Sequence, residues 1–126
     1  MYIYRIKIGD LRKRDSIIAT GLYSGDKNHF NDPLAQNLQG QGPIPEGAYW
    51  IGEPRDTPDH GKYFIPLIPV RGEEMYGRSA FGMHGDEMAH VGEHLASHGC
   101  IIAPRDARNI VGADIGHLLI VVSGNW

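Results

Sequence analysis

Short apolar stretches recur along the chain and predict a fold made mostly of β-strands. The N-terminal segment Tyr2–Ile8 alternates large apolar with polar side chains, as a strand with one buried face does. A turn signal follows, and a second apolar run within Asp15–Tyr23 predicts a hairpin or meander with the first strand. Further strands are predicted over Ala48–Ile51, Tyr63–Val70, Ala80–Met83, Cys100–Ala103 and His117–Ser123.

Prolines and glycines predict where these strands are interrupted. Pro66 and Pro69 lie within one predicted strand and favour an edge position or a bulge, because proline cannot donate to a sheet ladder. The polar segment Gly25–Gly42 predicts a long loop of the kind that is usually functional or mobile. Proline at the first helical position predicts one short helix over Pro104–Val111. Loops are also predicted over Glu53–Lys62 and Glu87–Ala96, the latter with at most one helical turn.

Composition and charge then exclude several function classes. With 126 residues, 17 glycines and 8 prolines, the chain suits one β-rich domain over residues 1–126. The net charge is -3, and the basic run Arg12–Arg14 is interpreted as a solvated turn, so nucleic acid is not an expected partner. No apolar run approaches the roughly 18 residues of a membrane span, and the N-terminus lacks the apolar block of a signal peptide. We therefore expect neither membrane insertion nor Sec-type export.

The candidate chemistry is concentrated between Met83 and Ile102. This stretch contains the single cysteine, Cys100, and four of the seven histidines. A thiol reacts as the thiolate, and a free cysteine with a pKa of about 8.5 is mostly protonated at neutral pH. An adjacent imidazole can remove that proton, and His84 and His98 are the two candidates. A cysteine activated in this way should be alkylated quickly below pH 7.

Several segments in order resemble a known enzyme family. His84-Gly85 followed by Ser97-His98-Gly99-Cys100-Ile101 is similar to the signature of YkuD-type L,D-transpeptidases, which act on peptidoglycan. Other segments resemble the small L,D-transpeptidase-like effector domains that type VI secretion systems deliver or phage genomes carry. These segments are 21–25, 31–33, 42–52, 78–81 and 100–105. The resemblance implies a mainly β fold, a YkuD-like sandwich or barrel of mixed sheets with one or two short helices and an active-site cleft.

The resemblance also implies a reaction. Cys100 would attack the carbonyl between diaminopimelate and the terminal D-alanine of a stem tetrapeptide, releasing D-alanine and leaving a thioester. Water would then give L,D-carboxypeptidase activity, and an amine would give D-amino acid exchange or cross-linking. Ile102 stands where larger members usually carry arginine, a change expected to bear on donor-stem recognition without inactivating the enzyme.

Each role is carried over to a residue of this chain. His84 is the implied general base, with the carbonyl of Gly85 or Asp86 fixing its tautomer, or the Asp86 carboxylate as an alternative. His98 lies two residues before the nucleophile, which on a strand means the same face, and is given a supporting role. The N–H groups of Gly99 and of the nucleophile are the candidate oxyanion donors. The residues expected to line the cleft or bind substrate are Tyr23, Ser24, Arg78, Ser79, Asp86 and Ser97, with the arginine suited to a stem carboxylate.

The expected partners follow from the substrate. They are peptidoglycan stem peptides and, for a toxin, an immunity protein that plugs the cleft; a monomer without cofactor or metal is expected. Without a signal peptide, the chain would be made in a bacterial or phage-infected cytoplasm and act in the periplasm or cell wall after secretion or lysis.

Two alternatives stay open. Cys100 as an inert buried residue would make the chain a non-catalytic wall-binding module. His90, His94 and His98 recur every four residues, as ligands of a metal-dependent peptidase would on a helix, although Gly92 disfavours that helix.

Overall fold

The computed structural model describes residues 1–86 and 90–124. The part of the chain that it describes forms ten strands and one α-helix, which confirms the mainly β class. No helix in these two ranges is long and apolar enough to span a membrane. In chain order the elements are β1 Tyr2–Arg5, β2 Asp10–Lys13, β3 Ser16–Ala19, β4 Tyr23–Ser24, a 3-10 helix Pro33–Ala35, β5 Gly47–Ile51, β6 Arg55–Thr57, β7 Gly61–Pro69, β8 Gly82–His84, β9 Ile101–Ile102, α1 Arg105–Gly112 and β10 Leu118–Val122.

The strands are hydrogen-bonded in the order β3-β2-β1-β10-β5-β7-β8-β9-β4, and β6 pairs with β7. Two of the strand pairs are parallel, β1 with β10 and β8 with β9. The other pairs are antiparallel. The predicted mixed sheet is therefore present. Because β3 and β4 end the order without pairing to each other, the described strands do not form a closed barrel.

The first three strands form a meander with one strand more than the pattern predicted. The predicted strand Tyr2–Ile8 ends at Arg5, and the chain turns before β2 begins at Asp10. Asp10 is buried and accepts a hydrogen bond from Arg5 Nε at 2.7 Å, so a charged residue begins a paired strand. Arg12 and Lys13 consequently lie in β2, and their interpretation as part of a solvated turn was wrong.

Strand β7 lies within the sheet, so the predicted edge position was wrong. It pairs with β5 on one side and with β6 and β8 along its length. The carbonyl of Pro66 accepts a hydrogen bond from Gly52 N at 2.8 Å. Because the nitrogen and the carbonyl of one residue face the same neighbour in an antiparallel pair, the ring nitrogen of Pro66 also faces Gly52, the first residue after β5. Pro69 is the last residue of the strand. Both prolines thus lie at ladder ends, where the missing donor disrupts little pairing.

The helix closes the core behind β7. It begins at Arg105 with Pro104 as its N-cap, one position from the predicted first helical residue. Ala107 and Val111 are buried in the main apolar cluster. The buried Arg108 donates to the carbonyls of Ala103, Lys62 and Tyr63 at 3.0, 2.8 and 3.1 Å. These bonds tie α1 to the start of β7.

Three predicted segments differ in detail. Glu53–Lys62, predicted as a loop, contains β6 and forms a hairpin with β7. Gly25–Gly42 is a long loop, as predicted, and contains the short 3-10 helix. Of the predicted loop Glu87–Ala96, residues 87–89 lie outside the described residues.

Candidate active site

The parallel pair β8–β9 brings an imidazole and the thiol to one cavity. His84 is the last residue of β8 and is paired in register with Ile102 of β9. Cys100 ends the bend immediately before β9. Both side chains are mostly buried, 5 % and 7 % exposed, and both line one cavity of about 320 Å³.

The imidazole of His84 is held in one tautomer. Its Nδ1 lies 2.9 Å from the carbonyl oxygen of Gly85. A carbonyl only accepts, so Nδ1 carries the proton and Nε2 remains able to accept one. Of the predicted orienters, the Gly85 carbonyl occupies this position. A Cβ at position 85 would lie 2.9 Å from the Arg108 guanidinium, so a larger residue would require that side chain to shift.

Burial determines the charge of both reacting groups at rest. It raises the pKa of the Cys100 thiol to about 11, against opposing effects of the Gly82 backbone and the Arg78 charge. The pKa of His84 is lowered to about 4, mainly by burial and also by the nearby His60 and Arg108. The hydrogen bond to Gly85 and the Asp86 charge oppose this shift. Thiol and imidazole are therefore both neutral near pH 7. These resting charges favour proton transfer during attack over a preformed ion pair.

The turn before Cys100 is fixed by a buried hydroxyl. Ser97 Oγ donates to the Cys100 carbonyl at 2.6 Å and accepts from the N–H groups of Gly25 and Gly99 at 2.9 and 3.2 Å. Gly99 has a φ of +141°, and a Cβ there would lie 2.5 Å from Arg78 Nη2. Glycine at this position therefore serves the packing of Arg78 as well as the backbone conformation.

The family model described as the Tlde1 domain matches residues 19–117, a span that contains both His84 and Cys100. The chain belongs to the Tlde1-domain family. The family is one of type VI secretion effector domains, which confirms that part of the resemblance. Comparison with curated proteins and with solved structures gave no match.

Six of the predicted site residues line the cavity of this Tlde1 domain. Its complete lining consists of Gln39, Gly40, His60, Arg78, Ser79, Ala80, Phe81, His84, Ala96, His98, Gly99 and Cys100. The long loop 25–42 thus contributes two lining residues, and the segment before β8 contributes four. The other five predicted residues, Tyr23, Ser24, Gly85, Asp86 and Ser97, are not part of this lining.

Tyr23 and Asp86 of the Tlde1 domain lie at a second cavity of about 510 Å³ and bind the backbone at Gly92 and Ala96. The Tyr23 hydroxyl donates to Asp86 Oδ1 at 2.7 Å and accepts from Ala96 N at 3.1 Å. Asp86 Oδ2 accepts from Gly92 N at 3.1 Å. These bonds connect β4 to the backbone at Gly92 and Ala96, and the expected contact of both residues with substrate stays a prediction.

Ser24 is also a brace of the nucleophile's turn in this Tlde1 domain. It is fully buried, donates to the Gly99 carbonyl at 3.2 Å and accepts from Ile44 N at 2.8 Å. Together with Ser97 it connects β4 and the proline turn to the residues beside the thiol. Neither serine is part of the cavity lining, and the expected substrate contact stays a prediction.

Arg78 lines the cavity, yet its guanidinium is already occupied. Nη1 donates to the carbonyls of Gln36 and Pro43 at 2.6 and 2.7 Å. Nη2 donates to those of Gly42 and His98 at 2.9 and 3.4 Å. Because four of the five guanidinium protons are used, paired bonds to a substrate carboxylate would have to displace backbone carbonyls. Arg78 instead connects the long loop to the turn of the nucleophile.

The reasoning that placed His98 beside the thiol does not hold for this Tlde1 domain. Residues 98–100 form a bend, not a strand, so residues 98 and 100 need not share a face. The exposed His98 ring lies with Nδ1 3.1 Å from the Gly40 carbonyl and lines the cavity. The N–H of Gly99 donates to Ser97, so of the two expected oxyanion donors Gly99 has another partner.

The three histidines of the metal hypothesis have separate partners. His90 Nδ1 lies 2.9 Å from Glu93, and His94 stacks on Phe30 at 3.8 Å between ring centroids. His98 contacts a backbone carbonyl. Within residues 1–86 and 90–124, no group of three or more His, Cys, Asp or Glu side chains is arranged to hold a metal ion.

The sequence did not indicate His60, which lines the cavity and packs against His84 with the two rings tilted by 32°. It lies in the predicted loop 53–62, with no motif around it. Only the β6–β7 hairpin brings it to the active face of this Tlde1 domain, so no local signal could have identified it.

Proposed function

We propose that this Tlde1 domain is a cysteine-dependent peptidoglycan enzyme that cleaves the diaminopimelate–D-alanine bond of stem tetrapeptides. The supporting observation is the shared cavity of Cys100 and His84, with His84 Nδ1 held by the Gly85 carbonyl. A nucleophile and a base on one cavity wall, with the base oriented by a third group, is the arrangement that acyl transfer needs.

The first half-reaction acylates the thiol. Cys100 Sγ attacks the carbonyl carbon of the diaminopimelate–D-alanine bond while its proton moves to His84 Nε2. The tetrahedral oxygen accepts a hydrogen bond from the Cys100 N–H, the candidate donor that remains after Gly99. As the C–N bond breaks, the imidazolium returns its proton to the departing amine. D-alanine leaves, and a thioester on Cys100 remains.

The second half-reaction uses the same imidazole as a base. His84 removes a proton from water, which gives the tripeptide, or from the amine of a D-amino acid or a neighbouring stem. The acceptor displaces Cys100, and the thiol regains its proton. The cavity is open enough to be lined by exposed residues such as Ser79 and His98, so both acceptors have access.

The test is release of D-alanine from tetrapeptide muropeptides, followed by mass spectrometry under reducing conditions. We expect Cys100→Ala and His84→Ala each to lose about 10³-fold or more in kcat/KM while keeping the melting temperature near that of the wild type. His117→Ala is the matched control, because it removes an exposed imidazole that is not part of the cavity lining.

Folded, reduced wild type that neither releases D-alanine nor exchanges a D-amino acid would contradict the proposal and leave a non-catalytic wall-binding module. Activity that survives Cys100→Ala and disappears with a chelator would point to a metal-dependent peptidase.

The partners and location proposed here follow from this chemistry. The substrate is a stem peptide in the periplasm or cell wall, which a type VI effector reaches by secretion and a phage enzyme by lysis. We propose that the domain acts as a monomer and that an immunity protein blocks the cavity in the producing cell.

A further inference from the structure

The imidazole of the proposed base belongs to a cluster of three aromatic rings. The ring of His60 lies 4.7 Å from that of His84, at an interplanar angle of 32°. His60 also stacks on Phe64 at 4.7 Å and 17°. Phe64 and His84 are 6.2 Å apart, so the three ring centroids form a triangle. Of the three, His60 and His84 line the cavity, and His60 is the ring nearer to His84.

Two antiparallel strand pairs, β6–β7 and β7–β8, bring this ring cluster together. The β6–β7 hairpin places His60 just before β7, where its backbone N–H donates to Thr57 Oγ1 at 2.9 Å. Phe64 projects from β7 across β8, and a Cβ on Gly82 would lie 2.2 Å from its Cζ atom. Gly82 thus provides the space for the Phe64 ring, two residues before His84. The hairpin and the base are fixed to each other by these contacts.

We propose that His60 is a positioning residue that holds the His84 ring in the orientation needed for proton transfer with Cys100. The hydrogen bond from Nδ1 to the Gly85 carbonyl fixes one edge of the ring. That bond alone permits the ring plane to tilt, and the His60 ring packed against it restricts further tilting. Reaching a reactive geometry requires both constraints, because a displacement of about 1 Å can cost about 10²-fold in rate.

The charges around His84 support this role and come from three elements. His60 lies on the hairpin, Arg108 on α1, and Asp86 just past β8. The first two lower the pKa of His84, whereas Asp86 raises it. Because His60 also shields the ring from water, its removal should raise the His84 pKa toward its ordinary value.

The decisive measurement is NMR of the imidazole nitrogens, which does not depend on turnover. In the wild type we expect His84 to show a single Nδ1–H tautomer across neutral pH. In His60→Ala we expect the Nδ1–H resonance to move upfield, because a tilted ring lengthens its bond to the Gly85 carbonyl, and the titration to shift toward pH 6.5. His60→Phe, which keeps a ring against His84, should retain the wild-type Nδ1–H resonance. His117→Ala serves as the control. An unchanged His84 spectrum in His60→Ala would overturn the proposal, even if the protein had no peptidoglycan activity.

The kinetic part rests on the proposed function. We expect His60→Ala to lose about tenfold or more in kcat with KM within about threefold, and His60→Phe to stay within about threefold of wild type in both. A raised KM with unchanged kcat would mean that His60 binds substrate, and equal losses in the two variants would exclude stacking as the cause. If His60→Ala does not fold, His60→Leu, which fills space without a ring, replaces it.

Discussion

The thiol of Cys100 is 7 % exposed, and burial raises its pKa to about 11. Arg78 and the Gly82 backbone act in the opposite direction without overcoming the loss of hydration. The free protein therefore carries a protonated nucleophile at neutral pH. Since His84 is neutral too, proton transfer from the thiol to the imidazole is expected only after the substrate has bound. The site is thus protected from adventitious oxidation and alkylation until it is occupied.

This reverses the alkylation behaviour predicted from the sequence. We expect iodoacetamide to react with Cys100 at pH 7 more slowly than with glutathione, and the rate to rise with pH toward about 11. The sign follows from the raised pKa, because the reactive thiolate gains population only as pH approaches that value. The rate is measured by mass spectrometry, and Cys100 is the one cysteine of the chain, so no other thiol contributes.

The urea-unfolded chain provides the control, because its rate should rise near the ordinary thiol pKa of about 8.5. A fast rate that is already constant below pH 7 would show a preformed thiolate and contradict the neutral resting pair.

At the scale of elements, one side chain holds the long loop and the turn of the nucleophile together. Arg78 precedes β8 and binds four carbonyls, from Gln36, Gly42, Pro43 and His98. The guanidinium thus satisfies backbone acceptors that a loop packed over the cavity would otherwise leave unpaired. The loop 25–42 depends on this residue, since its own 3-10 helix is only three residues long.

We predict that Arg78→Met lowers the free energy of unfolding by about 3 kcal/mol or more, because it leaves buried carbonyls without donors. Arg78→Lys should recover only part of this loss, since one ammonium group cannot match the planar fork of donors. Urea denaturation measures both, and Arg71→Met, at an exposed arginine, is the control. A loss within about 0.5 kcal/mol for Arg78→Met, as for a surface residue, would contradict the bracing role.

The elements differ in how far local pattern specifies them. The strand over 118–122 and the helix after Pro104 were predicted within a few residues, because a continuous apolar run and a proline start are local signals. Strand β2 was missed, because its charged residues are accommodated by the bond between Arg5 and Asp10, a contact across two strands. The predicted edge position of β7 was wrong because it rested on the prolines alone. Whether a proline interrupts pairing depends on where the neighbouring strands end, and the sequence does not show this.

At the scale of the whole molecule, the first and the last strand of the described residues, β1 and β10, pair with each other within the sheet. The C-terminal strand β10 lies between β1, to which it is parallel, and β5. The family match, 19–117, includes β4 to β9 and α1, whereas β1, β2 and β10 lie outside it. The strands that carry the site are therefore supported by strands that the match does not include. Leu119 is the central contact, fully buried and in register with Tyr2 and Tyr49.

We predict that Leu119→Ala costs about 2–5 kcal/mol of unfolding free energy, the usual range for truncating a buried leucine. Below the melting transition, kcat/KM for D-alanine release should stay unchanged, because Leu119 is not part of the cavity lining. Ile115→Ala, at a residue that is 53 % exposed, is the control and should change stability by less than about 0.5 kcal/mol. Equal losses in the two variants would show that β10 is not a central support of the sheet.

The site itself was only partly accessible to sequence reasoning. A motif of histidine, glycine and cysteine led to His84, Gly85 and Cys100, since a short parallel strand pair preserves their local spacing. His60 was out of reach, because it meets His84 only through the pairing of β7 with β8. Ser24 and Ser97 belong to segments similar to the family's, and their hydroxyls bind backbone groups, which no sequence motif indicated.

The β8–β9 ladder contains two paired positions, Met83 with Ile101 and His84 with Ile102. An offset of one residue would turn the His84 side chain to the face opposite that of Ile102, and an offset of two would move it by about 6.6 Å along the strand relative to β9. The placement of the base relative to the strand that follows Cys100 is therefore determined by backbone pairing. Transferring the histidine and the cysteine to another parallel sheet would require copying the register of the two paired positions and the glycine after the histidine. The segment between the two strands could change in length.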